Sequence, residues 1–227
     1  MSSVPVITID GPSGSGKGTV SRAVARALGW GLLDSGALYR LVALAGRRAG
    51  IALDEGGRLA GLAEGLDLHF GSDRQGEEAV WMGGEDVTRA IRTEQAGNDA
   101  SKVAALPRVR EALLERQRRF VMAPGLVADG RDMGTVVFPS AEVKIFLTAS
   151  PEERARRRHN QLKEKGVAAT LAALSLEIAE RDRRDTTRAV SPLVASADAV
   201  LLDTTGMPVD VVIERVLGIA RGRLRDV

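Results

Sequence analysis

Between Val6 and Gly29 the chain passes through a β-branched stretch, a glycine–serine loop and an amphipathic repeat, reading VITIDGPSGSGKGTVSRAVARALG. No other feature narrows the possible folds as far. Val6, Ile7 and Ile9 suit one buried strand. Val20, Ala23, Val24, Ala27 and Leu28 recur at helical spacing, and Gly29 supplies a stop. The loop between them is Gly11, Pro12, Ser13, Gly14, Ser15, Gly16, Lys17, Gly18 and Thr19, and its G-x-x-x-x-G-K spacing is that of a phosphate-binding loop. Glycines let successive N–H groups turn inward as a nest for anionic oxygens. The helix beginning near Lys17 aims its positive end at the same spot, and the lysine reaches the outer phosphates as a point charge. A plain glycine-rich turn would need none of these flanks. Most such loops place Ser or Thr directly after the lysine to hold magnesium, whereas here Gly18 follows and Thr19 comes next.

Further short apolar runs, WGLLD at 30–34, GLVADG at 125–130, VKIFLTA at 143–149 and AVLLDTT at 199–205, are separated by helical or loop sequence. That alternation predicts a parallel sheet covered on both faces. PRVREALLERQRRFV at 107–121 and PVDVVIERVLGIARGRL at 208–224 read as amphipathic helices. From about 63 to 103 the rhythm breaks: LDLHF and AVWMGG alternate around GSDRQGEE, which reads as an antiparallel hairpin within a small insertion. The chain is thus expected to form a single domain over 1–227, with a core at 1–62 and 104–227.

Composition excludes several classes. The 32 basic and 30 acidic residues leave a net charge of +2, and aromatic residues make up 3% of the chain. Neither strong electrostatic attraction to nucleic acid nor a set of base-stacking platforms is available. There is no cysteine, so neither disulfides nor thiolate metal sites arise. His69 and His159 are read as structural or surface residues. No basic leader precedes the first apolar run and no run approaches a membrane span, so a cytoplasmic protein without membrane partners is expected.

In an open parallel sheet, ligands collect at the carboxyl ends of the strands. There the sequence places the phosphate loop, then DSGALYR with Ser35, Tyr39 and Arg40, then DGRDMGT with Asp129, Arg131 and Asp132, then SPEERARRRHNQ with Arg154, Arg156, Arg157 and Arg158. The segments GPSGSGKGT, LLDSGALYR, VADGRDMGTVVFP and ERDRRDTTRAVSPL together resemble bacterial cytidylate kinase, from about Val4 to Ala220. The GKGT tetrapeptide likewise resembles the loop of nucleoside-monophosphate kinases. The resemblance implies an α/β P-loop nucleoside-monophosphate kinase fold: a five-stranded parallel sheet in the order 2-3-1-4-5 flanked by helices. A small α+β substrate-side insertion near 63–103 and a lid near 154–165 complete it. It implies transfer of the γ-phosphate of ATP to CMP or dCMP, with Mg2+, by a monomer.

The roles it implies make physical sense, because phosphoryl transfer asks mainly for positioning and charge neutralisation. Lys17 holds the phosphates of ATP. Arg40, Arg131 and Arg188 grip the acceptor phosphate, Arg181 and Asp185 face the ribose, and Arg154 and Arg158 belong to the lid over ATP. Asp129 ends its strand where a carboxylate can hold magnesium through water. Cytosine offers an amino donor at N4 and acceptors at N3 and O2, so its reader needs a carboxylate and a strong donor. Asp132 and Arg110 match those positions, with Ser35 and Ser101 as hydroxyl partners.

Each residue also has a structural reading. Ser35-Gly36 suits a simple turn, and Asp132 suits the cap of a helix starting near Met133. The arginines at 154–158 and the ERDRRDTTR segment suit solvated helix faces. That surface reading is kept for Arg156, Arg157, Arg183 and Arg184. DTTG at 203–206 matches the D-x-x-G of nucleotide switches, but it lies at the end of the last strand and no N-K-x-D motif accompanies it.

Overall fold

A computed structural model of the chain describes residues 4–73, 75, 78–164 and 166–224. Arg74, Gly76 and Glu77 of the expected hairpin turn and Lys165 at the end of the expected lid lie outside the described residues. In chain order the elements begin β1 Val6–Asp10, α1 Lys17–Leu28, β2 Gly31–Asp34, α2 Ser35–Arg48, α3 Gly56–Gly65 and β3 Leu68–Ser72. There follow β4 Glu78–Met82, β5 Glu85–Asp86, α4 Glu94–Val103, α5 Pro107–Arg118, β6 Leu126–Gly130 and β7 Val143–Thr148. The chain closes with α6 Pro151–Glu164, α7 Leu171–Thr187, β8 Val200–Asp203 and α8 Val209–Arg223. No helix among the described residues is long and apolar enough to cross a membrane.

The chain divides into two compact units, one made of residues up to Asp34 and from Gln117 onward, the other Ser35–Arg116. The first carries a parallel sheet in the order β2-β6-β1-β7-β8. Counting only these five strands along the chain, that order is 2-3-1-4-5. β1 lies at the centre, paired on both sides and buried along its whole length, which is why it reads as an uninterrupted apolar run. Ile7, Ile9, Val127, Val143, Ile145 and Leu147 form the sheet side of the core. Val20 and Val24 of α1 and Val212, Val216 and Leu217 of α8 cover it.

The second unit holds the antiparallel sheet β3-β4-β5, with Leu68 opposite Met82 and Phe70 opposite Val80. This hairpin has no core of its own. Val80, Val87 and Ile91 are buried against Ala37 and Leu41 of α2. Arg116 of α5 donates to the carbonyls of Leu66 and Ala63 at 2.7 and 3.3 Å. These contacts explain why the compact unit is wider than the 63–103 expected from the break in rhythm.

Candidate active site

At the carboxyl end of β1 the loop turns through three left-handed or extended positive-φ glycines, Gly11 at 149°, Gly14 at 77° and Gly16 at 91°. Two of them are also too crowded for a side chain. A Cβ on Gly11 would stand 2.0 Å from the Leu147 carbonyl oxygen, and one on Gly14 would stand 3.0 Å from the Arg154 Cβ. Gly16 caps α1 with no side-chain bond, so no side chain at the cap takes the N–H groups of the first turn, and these are the groups an anion binds. The half-buried Lys17 donates from Nζ to the Pro12 carbonyl at 3.3 Å. Burial and then the Arg131 charge push the Lys17 ammonium below its ordinary range, while Asp129 pulls it upward.

Asp129 ends β6 beside this lysine. Burial pushes its carboxyl up against the pull of Lys17, with Asp34 adding to the rise. Its Oδ1 is buried without a hydrogen-bond partner, and its Oδ2 would lie 3.2 Å from a Cβ placed on Gly18. The glycine that replaces the usual hydroxyl residue therefore lets this carboxylate approach the loop. No cluster of three or more His, Asp or Glu side chains suited to a metal exists among the described residues.

After β6 the chain forms a π-helical turn, Met133–Val137, with Asp132 at its N-cap position but no side-chain cap bond from it. The expected cap is supplied from β1 instead. Asp10 accepts from the backbone N–H of Met133 at 2.9 Å and of Gly134 at 2.8 Å. Burial pushes the Asp10 carboxyl up to about 7 in spite of these two bonds. Asp132, relieved of capping, faces Arg188 with 3.9 Å between Oδ1 and Nη2, both side chains being 3% exposed. Arg188 caps the C-terminus of α7 and donates from Nε to the Ser191 carbonyl. Arg131 donates from Nε to Asp185 Oδ2 at 3.0 Å, and half-buried Arg181 lies one helical turn before Asp185.

Truncating Asp10 to alanine would leave two buried N–H groups without acceptors, at about 1–3 kcal/mol each. Asp10→Ala is therefore expected to lower the urea midpoint. Its raised carboxyl gains a proton on folding between its unfolded value of 3.8 and about 7. The stability lost in the variant should thus grow as the pH falls through that window.

The α6 arginines separate by helical phase. Arg154 is buried and occupied by protein: it meets Asp182 and the carbonyls of Ser13 and Ala149. Arg156 is exposed and pairs with Glu153. Arg158 donates to Gln161 at 3.0 Å. Arg157, expected on a solvated face, is instead half-buried beside the phosphate loop. It donates to Glu153 at 2.8 Å, to the Ser15 carbonyl at 3.3 Å and to Thr204 Oγ1 at 3.0 Å. Thr204, within DTTG, is itself 3.2 Å from the Ser15 carbonyl, so that tetrapeptide braces the phosphate loop. Arg183 is exposed as expected, whereas Arg184 is half-buried and bonded to Glu180.

The second unit has its own polar group. Ser35 opens α2, Ser101 lies on α4, and both are buried. Arg40 follows on α2 with its Nε buried and without a hydrogen-bond partner. The Arg110 guanidinium lies 5.6 Å from the centre of the Tyr39 ring and donates to the Ala104 carbonyl at 3.1 Å. His69 packs against Trp81 with ring centres 5.2 Å apart.

The family model described as Cytidylate kinase matches residues 7–222. A cytidylate kinase of Stutzerimonas stutzeri (strain A1501) is 61% identical over 94% of this chain and 94% of its own length. That of Pseudomonas savastanoi pv. phaseolicola is 60% identical over 94% of this chain and 93% of its own. For Marinomonas sp. (strain MWYL1) the figures are 58%, 93% and 93%. With glycine loop, lysine and carboxylates in the arrangement described, the chain belongs to the cytidylate kinase family.

Proposed function

We propose that this enzyme transfers the γ-phosphate of ATP to CMP or dCMP, giving CDP or dCDP and ADP, in pyrimidine nucleotide metabolism. Within the molecule, the observation that carries this reading is Asp132. Its capping role has passed to Asp10, and its carboxylate is buried beside Arg188. A buried carboxylate that does not cap its own turn is suited to accept from the N4 amino group of cytosine. Arg110, with Ser35 and Ser101, supplies the donors for O2 and N3. Arg40, Arg131 and Arg188 hold the acceptor phosphate, and the unpartnered buried Nε of Arg40 supports an anion there. Arg181 and Asp185 face the ribose.

On the donor side, Gly11 to Thr19 and Lys17 cradle the ATP phosphates, and Arg157 joins them through Ser15. Arg154 and Arg158 belong to the lid, and Arg154 also holds the loop backbone through Ser13. Magnesium suits the buried, unpartnered Oδ1 of Asp129, which would hold it through water. Bound there with ATP, the ion would neutralise charge on the phosphates. We read the protein as a cytoplasmic monomer, and size-exclusion chromatography with light scattering checks the second part.

A coupled assay of ADP release against a panel of nucleoside monophosphates tests the whole reading. CMP and dCMP should exceed UMP, AMP and GMP, and equal rates across the panel would overturn it. If α6 closes over ATP to exclude water, amide exchange over 154–164 should slow when a bisubstrate analogue binds. Unchanged exchange would place the lid elsewhere.

A further inference from the structure

A single side chain links the donor loop to the helix that carries the acceptor residues. Arg154 meets both oxygens of Asp182, at 2.6 Å from Nη2 and 3.1 Å from Nη1. The same Nη1 donates to the Ser13 carbonyl at 3.0 Å, and Nε donates to the Ala149 carbonyl at 3.1 Å. Asp182 stands three residues before Asp185 on α7, on the same helical face. Asp185 in turn holds Arg131, and Arg188 ends the helix against Asp132. A continuous path of contacts therefore runs from Ser13 through Arg154, Asp182 and α7 to Arg131 and Asp132.

The chemistry of the pair suits a transmitter of position. A two-pronged arginine–carboxylate contact is directional as well as strong, so it fixes an angle and not merely a distance. At 5% exposure the Arg154 side chain has little water to replace a lost partner. We propose that Arg154 and Asp182 are a positioning pair that couples nucleotide on the donor loop to binding of the acceptor nucleotide. A nucleotide seated on the loop fixes the Ser13 backbone, and the pair passes that constraint to α7. This rests on the assignment of Arg131, Asp132, Asp185 and Arg188 to the acceptor. A second link from α6 to the loop runs through Arg157 and Thr204 to the Ser15 carbonyl and serves as a control.

The test is calorimetric. The Kd of CMP is measured with and without a non-hydrolysable ATP analogue, in the parent, Asp182→Asn, Arg154→Lys and Thr204→Val, each first shown to melt cooperatively. The ratio of the two Kd values is the coupling factor. In Asp182→Asn and Arg154→Lys it should move toward one by about threefold or more, a shift within the usual span of coupling energies. Thr204→Val should keep the parent's factor. Coupling is reciprocal, so the effect of CMP on analogue affinity must fall by the same amount. Two substitutions at the pair are used so that misfolding of one leaves the other to decide. An unchanged factor, a parent without coupling, or an equal loss in Thr204→Val overturns the pair. A parent that does not bind CMP at all overturns the acceptor assignment itself, and the pair with it.

Discussion

Lys17→Met is expected to lower turnover with ATP and CMP by about a hundredfold or more, the scale of removing one preorganised charge-stabilising donor. The far-UV circular dichroism should be unchanged. Lys17 makes a single long hydrogen bond to Pro12 and stands at the first position of α1, so methionine of similar length takes its place without opening a cavity. What the substitution removes is charge. Burial and Arg131 hold the ammonium below its ordinary range, and phosphate oxygens on the same N–H nest would favour its charged form. On the proposed reading the lysine and its ligand stabilise one another, most strongly where charge develops in the transition state. Near-normal turnover of Lys17→Met would remove the loop from the reaction.

The second large effect concerns base selection. Asp132→Asn is expected to depress kcat/KM for CMP more than for UMP, since O4 of uracil would face a carboxylate with no proton between them, while an amide can turn its NH2 toward it. A well-placed polar contact to a base is worth about 1–3 kcal/mol of discrimination, which corresponds to roughly 5- to 150-fold. The substitution is also informative about stability. Loss of a helix cap would lower the melting temperature and leave the CMP-to-UMP ratio alone. Asp10 already caps the turn, so the ratio is the quantity that should move. A ratio for Asp132→Asn that matches the parent's within experimental error would separate Asp132 from the base.

The sheet was readable because its signals are local. Each of the five strands lies within an apolar run of the sequence. The order of the strands came from resemblance, since no period within a strand reveals its neighbour. What stayed hidden was long-range. Asp10 caps a turn 123 positions away, a distance at which no local pattern carries information. Arg157 was misread because the run around it is almost wholly polar: Ala155 and Leu162 are the buried apolar residues of α6, too few to set its phase by eye. The second unit takes in α2 because Val80, Val87 and Ile91 are buried against its Ala37 and Leu41, a contact no local pattern announces.

The central place of β1 has a mechanical consequence. Paired on both sides and buried throughout, it is the strand least free to move, and the phosphate cradle is its direct continuation. Any motion that admits ATP and releases ADP is then expected in the helical contacts on the cradle and not in the strand. α6 grips it through the guanidinium groups of Arg154 and Arg157, and α7 holds Arg154 in place through Asp182, a hold that can break and re-form without disturbing the sheet. A substitution that weakens those contacts is expected to speed product departure while loosening the grip on the incoming nucleotide.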